Sequence, residues 1–249
     1  MNTFNLAGRL TRDIWTNGSD DKAATIAKGT LAVNKPGKDA GADFIPITII
    51  GPAAETSRKY LKKGTQIALT GRLETDTYER DGEKKYATAV ITPGFEFVNG
   101  TGAAVNNGDL IGRLVRDPEA IKKGDETIGC KFTIAVNRPK RKGEEDKADF
   151  LNVVVFGKQH ESCLRYLSKG RQVSIDGRLQ SDSYKKEDGS VIDRIDVVAS
   201  RVGFMGDGKK DEEEKKEDDT AEQFAAENPI ENLDDIDDLA GIDEEDIPF

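Results

Sequence analysis

Apolar and polar residues alternate along most of positions 1–206, the period-two signature of strands packed on one face only. In "ADFLNVVVF", residues 148–156, the alternation places Leu151, Val153 and Val155 on one face and Phe150, Asn152, Val154 and Phe156 on the other. Residues 42–50, "ADFIPITII", divide the same way, with Ile45, Ile47 and Ile49 against Phe44, Pro46, Thr48 and Ile50. The period changes at "AAETSRKYLKKG" and "QHESCLRYLSKG", each of which predicts one short helix. Gly64 and Gly170 are expected to close these helices in the left-handed conformation. Asp81-Gly82 and Asp188-Gly189 predict hairpin turns between the last two long strands of each unit.

The recurrence of these segments is a tandem repeat. "NLAGRLTRDI" at 5–14 returns as "DLIGRLVRDP" at 109–118, and residues 42–78 align without a gap on 148–184 with 15 of 37 identical. A period of about 105 residues is too long for a solenoid and fits a complete small domain. Each copy reads as five short strands with a helix between the third and fourth. Gly8 and Gly112 allow the first strand to bend. This order predicts an all-β chain of two five-stranded OB barrels in tandem. The expected boundaries are 1–98 for the first domain, 99–108 for a small, glycine-rich linker and 109–206 for the second domain.

A barrel has one interior, so the face carrying Phe44, Phe150 and Phe156 is expected to look outward. On the fourth strands, Val173, Ile175 and Leu179 share the core parity, while Arg178 and Tyr184, like Arg72 and Tyr78 in the first copy, take the opposite one. Outward aromatics beside cations suit stacking of unpaired bases with phosphate contacts, a sequence-independent mode of binding single strands. Arg9, Lys35 and Arg72 in the first copy, and Arg113, Arg138, Lys140 and Arg178 in the second, are the candidate phosphate partners. Parity alone also allows these aromatics to cover a subunit interface or a second small core.

Charge sharpens the picture. Residues 207–249 hold 19 acids and 4 lysines, a net of −15, so the formal −10 of the whole chain conceals a body of +5. A body with that sign suits a polyanionic ligand. The acidic segment has too few large apolar groups to offset the entropy of ordering and is expected to be a disordered tail. It ends in "DEEDIPF", where Asp246, Ile247, Pro248 and Phe249 are expected to engage other proteins. A second possibility is that the tail lies against the basic face when no polyanion is bound, since −15 and +5 attract.

Chemistry finds little footing. Neither G-x-x-x-x-G-K-[ST] nor HExxH occurs, and His160 is the single histidine. Cys130 and Cys163 lack metal-ligand spacing and read as buried thiols. Neither a catalytic site, a metal nor a cofactor is expected. The longest apolar runs are far short of the roughly 20 residues that cross a bilayer, so no membrane association is expected and the cytoplasm is the default location.

The residues resemble the bacterial single-stranded DNA-binding proteins. "ADFLNVVVFGKQHESCLRYLSKGRQVSIDGRLQSDSY" looks like that family's central block, "GRLVRDPE" like its opening strand and "DEEDIPF" like its acidic tip. The resemblance implies OB folds and binding of single-stranded DNA during replication, recombination and repair. It also implies four OB domains per assembly, hence a homodimer here, and association with the nucleoid. The family's stacking aromatics fall on Phe150, Phe156 and Tyr184 in the second copy and on Phe44 and Tyr78 in the first, where Ile50 replaces one of them. A further family aromatic stands here as Gly37 and Lys140. Trp15 lies outside the matched stacking positions, so the first copy is expected to bind more weakly. An RNA-binding OB protein is the alternative reading.

Overall fold

The computed structural model describes residues 1–19, 22–35, 41–80, 83–98, 104–139, 147–185 and 191–206. Both Asp-Gly turns, Lys140 and the whole of 207–249 lie outside the described residues. The first repeat forms β1 (Asn2–Leu10), β2 (Trp15–Thr16), β3 (Ile26–Asn34), β4 (Ala42–Ile50), α1 (Ala53–Tyr60), β5 (Gln66–Arg80), β6 (Glu83–Thr92) and β7 (Glu96–Phe97). The second forms β8 (Val105–Leu114), β9 (Glu119–Lys123), β10 (Glu126–Asn137), β11 (Ala148–Phe156), α2 (Gln159–Tyr166), β12 (Gln172–Lys185) and β13 (Val191–Phe204). Among the described residues no helix is long and apolar enough to cross a membrane.

Hydrogen bonding closes each repeat into a five-stranded circuit. In the first, β1 pairs with β3 and β5, β3 with β4, β5 with β6, and β4 runs parallel to β6. In the second, β8, β10, β11, β13 and β12 repeat that circuit, with β11 parallel to β13. These are the two OB barrels the alternation predicts. Closure depends on glycine in the first strand. A Cβ on Gly8 would sit 2.5 Å from the Ala32 carbonyl oxygen, and one on Gly112 2.7 Å from that of Ala135. Only a residue without a side chain lets the strand approach its closing partner so closely.

The core takes the parity read from the sequence. Ile45, Ile47 and Ile49 of β4, and Leu151, Val153 and Val155 of β11, are buried with Leu31, Phe132, Ile175 and Leu179. Helix ends depart from expectation. The α1 helix stops when the Leu61 N–H donates to Ser57 O and Leu61 turns extended. Gly64 (φ 84°) and Gly170 (φ 82°) do adopt the left-handed conformation, but in the turn that follows the helix rather than at its cap. Cys130 and Cys163 are free, buried thiols, and their mutual hydrogen bond together with burial raises the pKa of Cys130.

The linker departs further. Val105–Gly108, expected in the connector, belong to β8, which pairs antiparallel with β1 from Asn2↔Leu110 to Ala7↔Val105. The first half of β1 would otherwise present an unpaired edge, and β8 satisfies its backbone groups. One continuous sheet therefore runs through both barrels.

A second contact binds the barrels, and it has approximate two-fold symmetry. Asp43 at the start of β4 accepts the Ser181 N–H of β12 at 3.0 Å, while its counterpart Asp149 on β11 accepts the Thr75 N–H of β5 at 2.8 Å. Thr75 and Ser181 are themselves counterparts, 106 residues apart like Asp43 and Asp149. Each barrel thus buries one carboxylate against the other barrel's fourth long strand.

Candidate nucleic-acid interface

The outward face is assembled row by row across the strands. In the first barrel Arg9 of β1 lies opposite Ala32 of β3, which lies opposite Phe44 of β4. Directly opposed residues share a face, so the guanidinium and the ring stand on one surface, roughly 10 Å apart across two strand spacings. The small Ala32 between them leaves the surface open. Phe44 is 54 % exposed, an unusual position for a phenyl ring on a central strand. The second barrel repeats the row as Arg113, Ala135 and Phe150. Arg9 and Arg113 are held alike: the Nη1 of each donates to a carbonyl, Gly64 O at 3.3 Å and Gly170 O at 3.2 Å.

Not every residue expected on this face reaches solvent. Asn152 and Val154 of β11 have outward parity yet are buried. Ile121 of β9 packs with Val154, Ile128 and Phe156 into a small satellite core. The edge strand β9 pairs with β10, its register shifting between Thr127 and Gly129. Phe156 is therefore half-buried, and the reading of a second small core holds at that end of the second barrel. Asn152 belongs to a buried polar row that runs across the sheet through Thr133, Asn152, Asp196 and Gln180. The Thr133 hydroxyl donates to Asn152 Oδ1 at 3.0 Å. Arg194 Nη2 lies 2.6 Å from Asp196 Oδ2, but burial dominates and raises the Asp196 pKa to about 6.

The cations near the seam are also committed to the fold. Arg138, expected to meet phosphate, instead places Nη2 2.7 Å from Asp149 and 3.1 Å from Asp76, and Nη1 3.2 Å from Glu74. Its position beside Asp149, the carboxylate each repeat carries at the head of the third long strand, explains why. Without a cation there, three acids from the two barrels would face one another. Asp43 is met instead from across the seam by Arg178, which lies 3.5 Å from it and donates to Gln180 at 2.9 Å. Lys35 is 4.0 Å from Asp43, and Arg72 Nε donates to the Glu74 carboxylate. Burial pushes the pKa values of Asp43 and Asp149 upward, opposed by the N–H donors of Ser181 and Thr75 and by Arg178 and Arg138.

The structure thus brings Arg9, Phe44, Arg113 and Phe150 together with a common arrangement, and assigns Arg138 and Arg178 to the joint between barrels. The side chains of Tyr78 and Tyr184, and Lys140, Asp246, Ile247, Pro248 and Phe249, lie outside the described residues. One exposed aromatic was not expected on this face. Trp15 of β2 is 58 % exposed and lies opposite Lys28, whose parity is that of Thr48 and Phe44. Its only sequence signal is a tryptophan where the second repeat has Glu119.

Comparison with known proteins accords with this geometry. The family model described as "Single-strand binding protein family" matches residues 1–98 and again 105–205, and the chain belongs to that family. It is 39 % identical over 143 residues to single-stranded DNA-binding protein 3 of Clostridium acetobutylicum, covering 56 % of this chain and 96 % of the relative. It is 43 % identical over 102 residues to single-stranded DNA-binding protein 2 of Staphylococcus aureus, covering 41 % of this chain and 72 % of that one. A crystal structure of a deletion mutant of the single-stranded DNA binding protein from Thermus aquaticus superposes with a TM-score of 0.66 at 25 % identity. That superposition covers 86 % of this chain and 98 % of the other, so it extends across both repeats.

Proposed function

We propose that this chain binds single-stranded DNA without regard to sequence, along the outer faces of its two barrels, and performs no catalysis. The observation that carries the proposal is the arginine–alanine–phenylalanine row, present once on each barrel. Phe44 is exposed and Phe150 half-buried on these rows; an outward aromatic plane accepts any base, and a guanidinium about 10 Å away reaches the strand's phosphates. Membership of the family and the names of the relatives support the same reading. Two chains, presenting four barrels, form the working unit in the cytoplasm. The terminal Asp246, Ile247, Pro248 and Phe249 recruit proteins of replication, recombination and repair.

Competition at matched length and salt tests the ligand. Poly-dT is expected to displace a labelled dT oligomer more effectively than poly-U, because the thymine methyl group adds stacking area and a 2′-hydroxyl pressed against an aromatic and phosphate-binding track is desolvated without a partner. Equal displacement would favour RNA as the ligand. Light scattering of the same samples is expected to give the mass of two chains, with or without one bound strand.

A further inference from the structure

The geometry points to Trp15 as a base-stacking residue of the first barrel, extending that barrel's track beyond Phe44. This inference rests on the proposal that the chain binds single-stranded DNA, and adds to it a residue that resemblance did not supply.

Three observations converge on the ring. Its position is fixed by sheet pairing rather than by a loose loop: Trp15 pairs with Lys28 and Thr16 with Ala27. The flanks are anchored as well. Ile14 packs against the core, and Asn17 Oδ1 accepts the N–H groups of Thr25 and Ile26, both at 2.9 Å. The backbone that carries the ring is thus in place before any ligand arrives, so little backbone ordering entropy is lost on binding.

The ring also stands on the correct face. Lys28 lies opposite Thr48, and Ala32, four residues further along β3, lies opposite Phe44. Trp15, Lys28, Thr48, Ala32 and Phe44 therefore share the surface of β2, β3 and β4. Two strand spacings and four residues of rise separate Trp15 from Phe44 by roughly 16 Å, a span of a few nucleotides. Lys28 beside the ring is exposed and offers a cation to the phosphate of a stacked base.

The contrast with the second barrel gives the position its meaning. There Glu119 takes the place of Trp15 and pairs with Lys131 at 3.5 Å and Arg116 at 3.1 Å, while β9 continues to Ile121 and covers Val154. The first barrel has Ile50 where the second has Phe156, and its own β2 ends at Thr16. The loss of an aromatic on β4 is thus balanced by a gain on β2, and the first barrel is not the weaker binder its Ile50 suggests.

Trp15 is the single tryptophan of the chain, so its emission reports this position alone. The full chain is titrated with a labelled dT oligomer while anisotropy gives the bound fraction and tryptophan emission is recorded in parallel. Emission is expected to quench in step with anisotropy, and acrylamide is expected to lose access to the ring in the complex. Trp15→Ala is expected to weaken binding roughly 5- to 150-fold, the range corresponding to one base–aromatic stack. Trp15→Phe is expected to recover most of that loss, which also controls for any effect of the alanine on folding. Binding seen by anisotropy with unchanged emission, unchanged acrylamide access and wild-type affinity in Trp15→Ala would overturn the assignment and leave the DNA reading intact. A drop in mass by light scattering in Trp15→Ala without DNA would overturn it in favour of a subunit contact. No oligomer bound by the wild type in anisotropy would remove the DNA reading, and this assignment with it.

Discussion

At the scale of single residues, the joint between the barrels turns on Phe4 and Gly108. They face each other in the β1–β8 ladder and, 104 residues apart, are counterparts in the two repeats. The local two-fold axis passes between them, and the ring of one fills the space left by the other. An added Cβ at Gly108 would overlap the Phe4 ring and sit 2.5 Å from Thr3 O. Gly108→Ala is expected to cost about 1–3 kcal/mol of stability as overpacking, read by urea denaturation. Sequence alone exposes the repeat but not this pairing, because nothing local to Gly108 says which strand lies beside it. Asp196 offers a second residue-level test. Its pKa is raised from 3.8 to about 6 by burial, so its favourable contribution is complete below 3.8 and is lost as pH rises through 6. The stability of the wild type relative to Asp196→Asn is therefore expected to fall between pH 4 and pH 7, by about 3 kcal/mol at most. A flat difference across that range would contradict the buried, destabilised carboxylate.

At the scale of elements, alternation gave the number and order of the long strands, and both helices followed from the change of period. What it could not supply was cover from elsewhere. Val154 and Asn152 have the parity of an exposed face, but β9 and a buried polar row seal that part of β11. Five residues of β9 are too few for periodicity to register. Likewise Arg138 reads from the sequence as a phosphate partner, whereas it is clamped by Asp149, Asp76 and Glu74 from two barrels. Removing one partner of a buried ionic cluster leaves the rest uncompensated. Arg138→Ala is expected to cost about 3–5 kcal/mol of stability. The slope of log affinity against log salt, measured where the variant is folded, should not change. A shallower slope with unchanged stability would return Arg138 to the phosphate track.

At the scale of the whole molecule, the repeat and the division of charge were plain in the sequence, whereas the continuity of the two barrels was not. The connector became strand because β1 had an edge to pair, which is a tertiary demand. A body of +5 facing a polyanion predicts strong salt dependence: with about five phosphates neutralised, the slope is near −3.5 for a single strand. Removing residues 207–249, which carry −15, is expected to tighten oligothymidylate binding at low salt and to matter less as salt rises. Equal affinities with and without the tail would dismiss its competition for the basic face. The central claim is that the outward-facing phenylalanines, Phe44, which is exposed, and Phe150, which is half-buried, hold bases. Its most direct test is equilibrium binding of a dT oligomer to the wild type and to the Phe44→Ala/Phe150→Ala variant at one salt concentration. Loss of at least about 10-fold in affinity, with the unfolding midpoint retained, is the predicted result. Unchanged affinity in a folded variant would contradict it.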